Sequence, residues 1–182
     1  ETCQALALMV RQGKALYIGL SNYPAPLAAK AAARLAELGT PCLVNQLKYS
    51  LFQRDIEAET LPVCREQGMG VVAFSPLAGG LLSDRYLEGI PADSRAASTS
   101  PFLQPDQITA DKLARIRALH ALAQQRGQPL SQLALQWVLR DPVVSCALIG
   151  ASSPQQIVSA VEALALPPLD EALQQQILAV LA

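Results

Sequence analysis

Four apolar runs, each closing on a short polar or glycine-bearing signature, punctuate this sequence. LYIGL runs into Ser21-Asn22 and CLVNQ ends at Gln46; VVAF opens onto Ser75-Pro76-Leu77-Ala78-Gly79-Gly80, and ALIG onto Ala151-Ser152-Ser153. A helical stretch separates each run from the next. Short continuous apolar runs suit strands buried on both faces of a parallel sheet. Strand, signature and helix in repetition are consecutive βα units whose strand ends point at one shared site, as in a parallel barrel. The expected fold class is therefore α/β, of the parallel (β/α)8 type.

The element pattern supports that class. Residues 1–12 read as a helix stopped by Gly13, 16–20 as a strand, and 24–38 as an Ala-rich helix stopped by Gly39. Proline early and glycine just past the end is the usual helix asymmetry. A strand over 42–46, a helix over 56–67 closed by Gly68, and a strand over 69–74 follow. An irregular stretch from Ser75 to about Ile108 carries four prolines, and loops of that length in a compact domain usually serve function. Thr109 then caps a helix reaching Arg126. Leu130, Leu133, Ala134, Trp137 and Val138 form an amphipathic stripe with its face in the core. A strand over 146–149, its helix over 154–164 and an outer helix over 170–181 complete the chain. No domain boundary is visible, so residues 1–182 read as a single unit.

Length and composition narrow the field. The chain has 182 residues, whereas a full (β/α)8 barrel needs on the order of 250. The first residue is Glu1 and helical sequence begins at once, which reads as a cut amino terminus. Hydrophobic residues make up 51%, which excludes a disordered tail. Net charge is −1 with scattered Lys and Arg, so no nucleic-acid footprint is expected. No run reaches the roughly 18 apolar residues of a membrane span. Cys3, Cys42, Cys64 and Cys146 show no CxxC spacing or scaffold density, which fits a reducing cytoplasm.

In this order, the four signatures resemble strands five to eight of an aldo-keto reductase, in the branch containing potassium-channel β subunits and bacterial glyceraldehyde-3-phosphate reductases. The resemblance spans residues 8–165. It implies the C-terminal half of a (β/α)8 barrel, about four βα units plus extra C-terminal helices. It also implies NADP(H) as cofactor and a small carbonyl compound as substrate. The family's catalytic Asp, Tyr, Lys and His come from the first half of the barrel, so no residue of this chain is assigned a catalytic role.

The resemblance distributes cofactor contacts along the chain. Ser21, Asn22 and Gln46 match residues that hold the nicotinamide carboxamide, which offers donors and an acceptor to a hydroxyl and amides. Ser21-Asn22 is also a plausible helix cap before Pro24. Phe74 matches an aromatic that stacks on the nicotinamide, a flat surface that orients a flat ring. Ser75, Pro76, Leu77 and Gly79 match the stretch that wraps the pyrophosphate, where glycine lets backbone N–H groups approach. Arg85 and Arg95, in the long loop, match basic residues used on the phosphates; the guanidinium fork donates in pairs. Gly150, Ser152 and Gln156 match residues that hold the adenosine phosphates. Ser153, Pro154 and Gln156 also form a capping box, sufficient by itself to start a helix. Relatives carry an acidic and then a polar residue to hold adenine, where this chain has Ser159-Ala160.

Other candidates carry less. His120 is the sole histidine and reads as an ordinary helix residue. Tyr49 could line the substrate side, but does not match the catalytic tyrosine. No GxSxG elbow, P-loop or metal-ligand cluster is present. A half-barrel exposes two strand edges and an apolar face, which a separate first half or a second copy would close. Three readings follow: the cofactor half of a carbonyl reductase, a non-catalytic nucleotide-binding or regulatory module, or an inactive fragment.

Overall fold

A computed structural model describes residues 1–91, 97 and 103–182. Four strands, β1 (Ile18–Ser21), β2 (Cys42–Lys48), β3 (Gly70–Phe74) and β4 (Val144–Leu148), form one parallel sheet in the order β1-β2-β3-β4. Helices alternate with them: α1 (Thr2–Arg11), α2 (Ala25–Glu37), α3 (Thr60–Glu66), then α4 (Ala110–Gln125) and α5 (Leu130–Leu139) before β4. Helices α6 (Pro154–Glu162) and α7 (Glu171–Leu181) follow it. Sequential parallel neighbours linked by helices are the arrangement expected of half a (β/α)8 barrel.

The register sorts side chains onto two faces. Ile18, Leu20, Leu47, Val71 and Ala73 are buried beneath the helices. The other face carries Ser21 beside Gln46 and Val72 beside Cys146, with Lys48, Phe74 and Leu148 one layer further along the strands. That layering is how barrel interiors fill; here Ser21, Cys146 and Leu148 are exposed.

Helix α2 shows how local sequence sets the packing. Ala28, Ala31, Ala32 and Leu35 are buried at i, i+3, i+4 and i+7. Three alanines on that stripe let the helix approach the sheet closely. The helix ends because Gly39 adopts φ 69°. Its N–H donates to the Ala36 carbonyl, and Thr40 N–H donates to Leu35 (3.0 Å), a paired closure of the last turn. The Leu130–Val138 stripe is buried as expected, with Trp137 1% exposed. Thr109 caps α4 by accepting the Lys112 N–H at 3.2 Å.

Several boundaries differ from the sequence expectation. The first strand begins at Ile18, two residues late, because Leu16 and Tyr17 are 83% and 74% exposed at the sheet edge. Helix α3 begins only at Thr60, since residues 50–59 fold into turns around a buried cluster. Tyr49 does not line a substrate side. It is fully buried, donates its hydroxyl hydrogen to Glu57 Oε1 (2.7 Å) and accepts from Arg140 Nη1 (2.6 Å). Glu57 also takes Arg54, Arg140 and the Trp137 indole N–H, and the Arg140 guanidinium stacks 3.7 Å from the indole centre. Burial and the Glu57 carboxylate push the Tyr49 phenol above its ordinary pKa.

Candidate functional site

The C-terminal ends of β3 and β4 open into a cleft of about 810 Å³. Ser75, Pro76, Leu77 and Gly79 after β3, Gly150, Ser152 and Gln156 after β4, and Arg85 all line it. Eight of the thirteen residues singled out in the sequence therefore meet in one place. The cleft also takes Ser159 and Ala160, the positions set against the adenine in the sequence, and Ser83, Tyr86, Ser131 and Leu135, which the sequence reading did not assign to it.

The lining stretch after β3 is a tight turn. Ser75 and Ala78 hold φ 55° and 49°, and Gly79 and Gly80 follow at 72° and 104°. Left-handed backbone is costly for a residue with a Cβ, so the two glycines relieve a turn already burdened at Ser75 and Ala78. Ala78 N–H donates to Ser75 O and Gly80 N–H to Leu77 O, both at 2.9 Å. Those two N–H groups are spent inside the turn. Ser83 Oγ donates to Gly80 O at 2.6 Å, joining the turn to the segment carrying Arg85.

The lining stretch after β4 departs from the expected capping box. Ser153 occupies the N-cap of α6, yet its side chain makes no cap hydrogen bond. Gln156 Oε1 instead accepts from the Ser152 N–H (2.8 Å) and hydroxyl (3.3 Å). The amide reaches one residue further back than the motif requires, drawing Ser152 over the helix start. The buried Gln132 donates to Ser159 O (2.9 Å) and Oγ (3.1 Å), fixing α6 to α5.

The remaining candidates lie elsewhere. Ser21 and Gln46 are register partners on the open sheet face, and Phe74 lies on that face beside Leu148, a cleft residue. Ser21 and Asn22 do not cap α2, whose N-cap is Pro24. Asn22 sits at φ 58°, donates its N–H to Gln46 O (2.9 Å), and lines a separate hollow of about 330 Å³. The buried Asn45 holds this corner: its amide donates to Tyr23 O at 2.8 Å. Arg95 lies outside the described residues.

His120 sits within α4, and its Nδ1 lies 3.0 Å from Asp84 Oδ1. The displaced pKa values belong to groups outside the cleft. Burial raises Cys42 and Cys64. Burial also pushes Glu57 and Asp141 upward, but hydrogen bonds from Arg54, Tyr49 and Arg140 to Glu57, and from Val143 N–H and Arg65 to Asp141, prevail and lower both. Among the described residues, no three His, Cys, Asp or Glu side chains cluster as a metal site, and no helix is long and apolar enough to cross a membrane.

A cleft at the carboxyl ends of parallel strands accompanies a sequence that one family model matches throughout. The Aldo/keto reductase family model covers residues 1–182. The chain belongs to the aldo/keto reductase family. It is 42% identical over 168 residues to L-glyceraldehyde 3-phosphate reductase of Escherichia coli strain K12, covering 90% of this chain and 49% of that protein. It is 37% identical over 175 residues to a probable voltage-gated potassium channel subunit beta of Oryza sativa subsp. japonica, covering 93% and 53%. An oxidoreductase of Bacillus subtilis, YrpG, is 35% identical over 164 residues, covering 90% and 48%. This aldo/keto reductase chain thus spans about half the length of the curated relatives it matches.

Proposed function

We propose that this chain supplies the cofactor-binding half of an NADPH-dependent reductase that converts aldehydes or ketones to alcohols. The observation that carries the reading is the convergence of the Ser75–Gly80 turn, Arg85 and the first turns of α5 and α6 on one cleft. Ser131 and Gln156 stand in those two first turns. Helix amino termini favour anions, and a guanidinium suits phosphate. A volume of about 810 Å³ lies within the range of small-molecule and cofactor sites.

The donor set fits a dinucleotide phosphate. Arg85, Ser75, Ser152 and Gln156 would hold phosphate oxygens, and Arg95 would add a second guanidinium. Ser21, Asn22 and Gln46 would orient the carboxamide, with Phe74 against the ring. When bound, the nicotinamide supplies hydride. The chain's own part is to fix the ring and keep the phosphates out of water. The acid that protonates the product oxygen is expected from the first half of the barrel.

The open sheet face and its two edges support closure by a four-stranded first half, or by a second copy of this chain. Apolar side chains stand exposed at both edges: Leu16 and Tyr17 beside β1, and Ile157, Val161 and Leu164 on α6. Residues 1–182 would act as one unit of that barrel. Four free cysteines, two of them buried, favour the cytoplasm. The match to a potassium channel subunit beta favours a second reading, a nucleotide-binding module with a regulatory role.

Titration of the full-length protein with NADPH, followed by cofactor fluorescence, tests the first claim. Saturable binding weakened at least about 10-fold by Arg85→Ala is expected, the effect of one lost charge-assisted contact. Absent binding, or binding indifferent to Arg85, overturns it. Turnover of small aldehydes by the same protein separates the enzyme from the regulatory module.

A further inference from the structure

Arg85 lines the cleft, and the residue before it, Asp84, does not. Asp84 Oδ1 accepts the Leu130 N–H, the first residue of α5, at 3.2 Å. The same oxygen lies 3.0 Å from His120 Nδ1 on α4. Tyr86, on the other side of Arg85, is 2% exposed and packs in the core. Further along, Arg117 of α4 donates to Leu87 O at 3.0 Å. Arg85 is thus flanked by two anchors, and the one before it is a single carboxylate oxygen bridging two helices.

We infer that Asp84 is a positioning residue for the anion site: it latches the Arg85 segment to α4 and to the start of α5. The inference rests on the cofactor reading above, because it needs Arg85 to bind phosphate. Two effects of opposite sign compete. A carboxylate next to a phosphate site repels the ligand, so its removal should tighten binding by simple Coulomb reasoning. The latch argues the reverse, since a loose segment must be ordered when the ligand binds. The geometry favours the latch. Asp84 is 42% exposed and screened by water, and its inner oxygen faces a backbone N–H and an imidazole. The bridging bonds survive in Asn, whose Oδ1 also accepts, but not in Ala.

The test is a double-mutant cycle in the full-length protein, with Kd measured for NADPH by cofactor fluorescence. Asp84→Ala is expected to weaken NADPH about 10-fold, while Asp84→Asn stays within about 3-fold of the parent. In an Arg85→Ala background, Asp84→Ala should add less than about 2-fold, because its effect passes through Arg85. A purely structural role would lower thermal stability without that coupling. Tighter binding in Asp84→Ala and Asp84→Asn alike, or full additivity with Arg85→Ala, overturns the latch and leaves the cofactor reading standing. An Arg85→Ala variant that binds NADPH as well as the parent overturns both.

Discussion

Removal of Glu57 should cost this fold heavily, because four side chains donate to its one carboxylate. Its Oε1 accepts from Tyr49 (2.7 Å), Arg140 (2.9 Å) and Trp137 (3.2 Å), and Oε2 from Arg54 (3.0 Å). The side chain is 19% exposed, and Tyr49 and Trp137 are almost wholly buried. Glu57→Ala would leave a phenol, an indole N–H and a guanidinium without their common acceptor. Breaking one side of a buried pair costs about 3–5 kcal/mol, and residual exposure points to the lower end, about 3 kcal/mol. For a domain of this size that is about 6–12 °C in Tm. Glu57→Gln keeps one acceptor and loses the charge, so roughly half that cost is expected. Urea and thermal unfolding followed by far-UV circular dichroism measure both. The pH dependence gives a second readout. The folded carboxyl is held below its ordinary value of 4.5, so its stabilisation is present above that pH and is lost as pH falls through the lower folded value. Glu57→Gln should flatten this acid limb. A Glu57→Ala cost under about 0.5 kcal/mol would refute the reasoning, placing the cluster with ordinary surface pairs.

Other outcomes follow from the same geometry. Arg65→Ala should cost less than about 1 kcal/mol in chemical denaturation, since Arg65 is 54% exposed in its bridge to Asp141. Asp141→Ala should cost more, because Asp141 Oδ1 also accepts the Val143 N–H at 3.0 Å ahead of β4. Ala78→Gly should stabilise the protein by up to about 1 kcal/mol in urea titration, because the left-handed strain at φ 49° outweighs the added freedom of the unfolded chain. Leu35→Ala should cost about 2–5 kcal/mol by the same assay, since Leu35 is fully buried. The isolated 182-residue chain should sediment as a dimer or unfold without cooperativity; a monodisperse monomer with a sharp transition would count against the open-edge argument.

The sheet, its order and most helix ends were legible in the sequence because apolar runs, Gly stops and the Thr109 cap act through neighbours in the chain. So was half of the cleft, whose Ser75–Gly79 and Gly150–Gln156 stretches directly follow strands. What escaped depends on contacts across long separations. Nothing near Tyr49 announces Arg140, which lies 91 residues on and takes the phenol into the interior. Asp84 carries no local signature, and only α4 and α5 bring His120 and Leu130 to it. Asn45 reads as part of an apolar strand, and only the fold shows its amide bonded to Tyr23. Ser131 had one signal available: it stands in the first turn of a helix capped by Pro129, but the stripe from Leu130 onward made that segment read as core alone.

The Arg140–Trp137 stack has a practical consequence. Trp137 is the sole tryptophan, 1% exposed, with a guanidinium 3.7 Å from its centre and its N–H bound to Glu57. It does not line the cleft. Read in the absence of cofactor, the intrinsic emission of this chain is therefore a spectroscopic gauge of whether the Glu57 cluster is intact. A change in that emission before any cofactor is added reports on the fold alone.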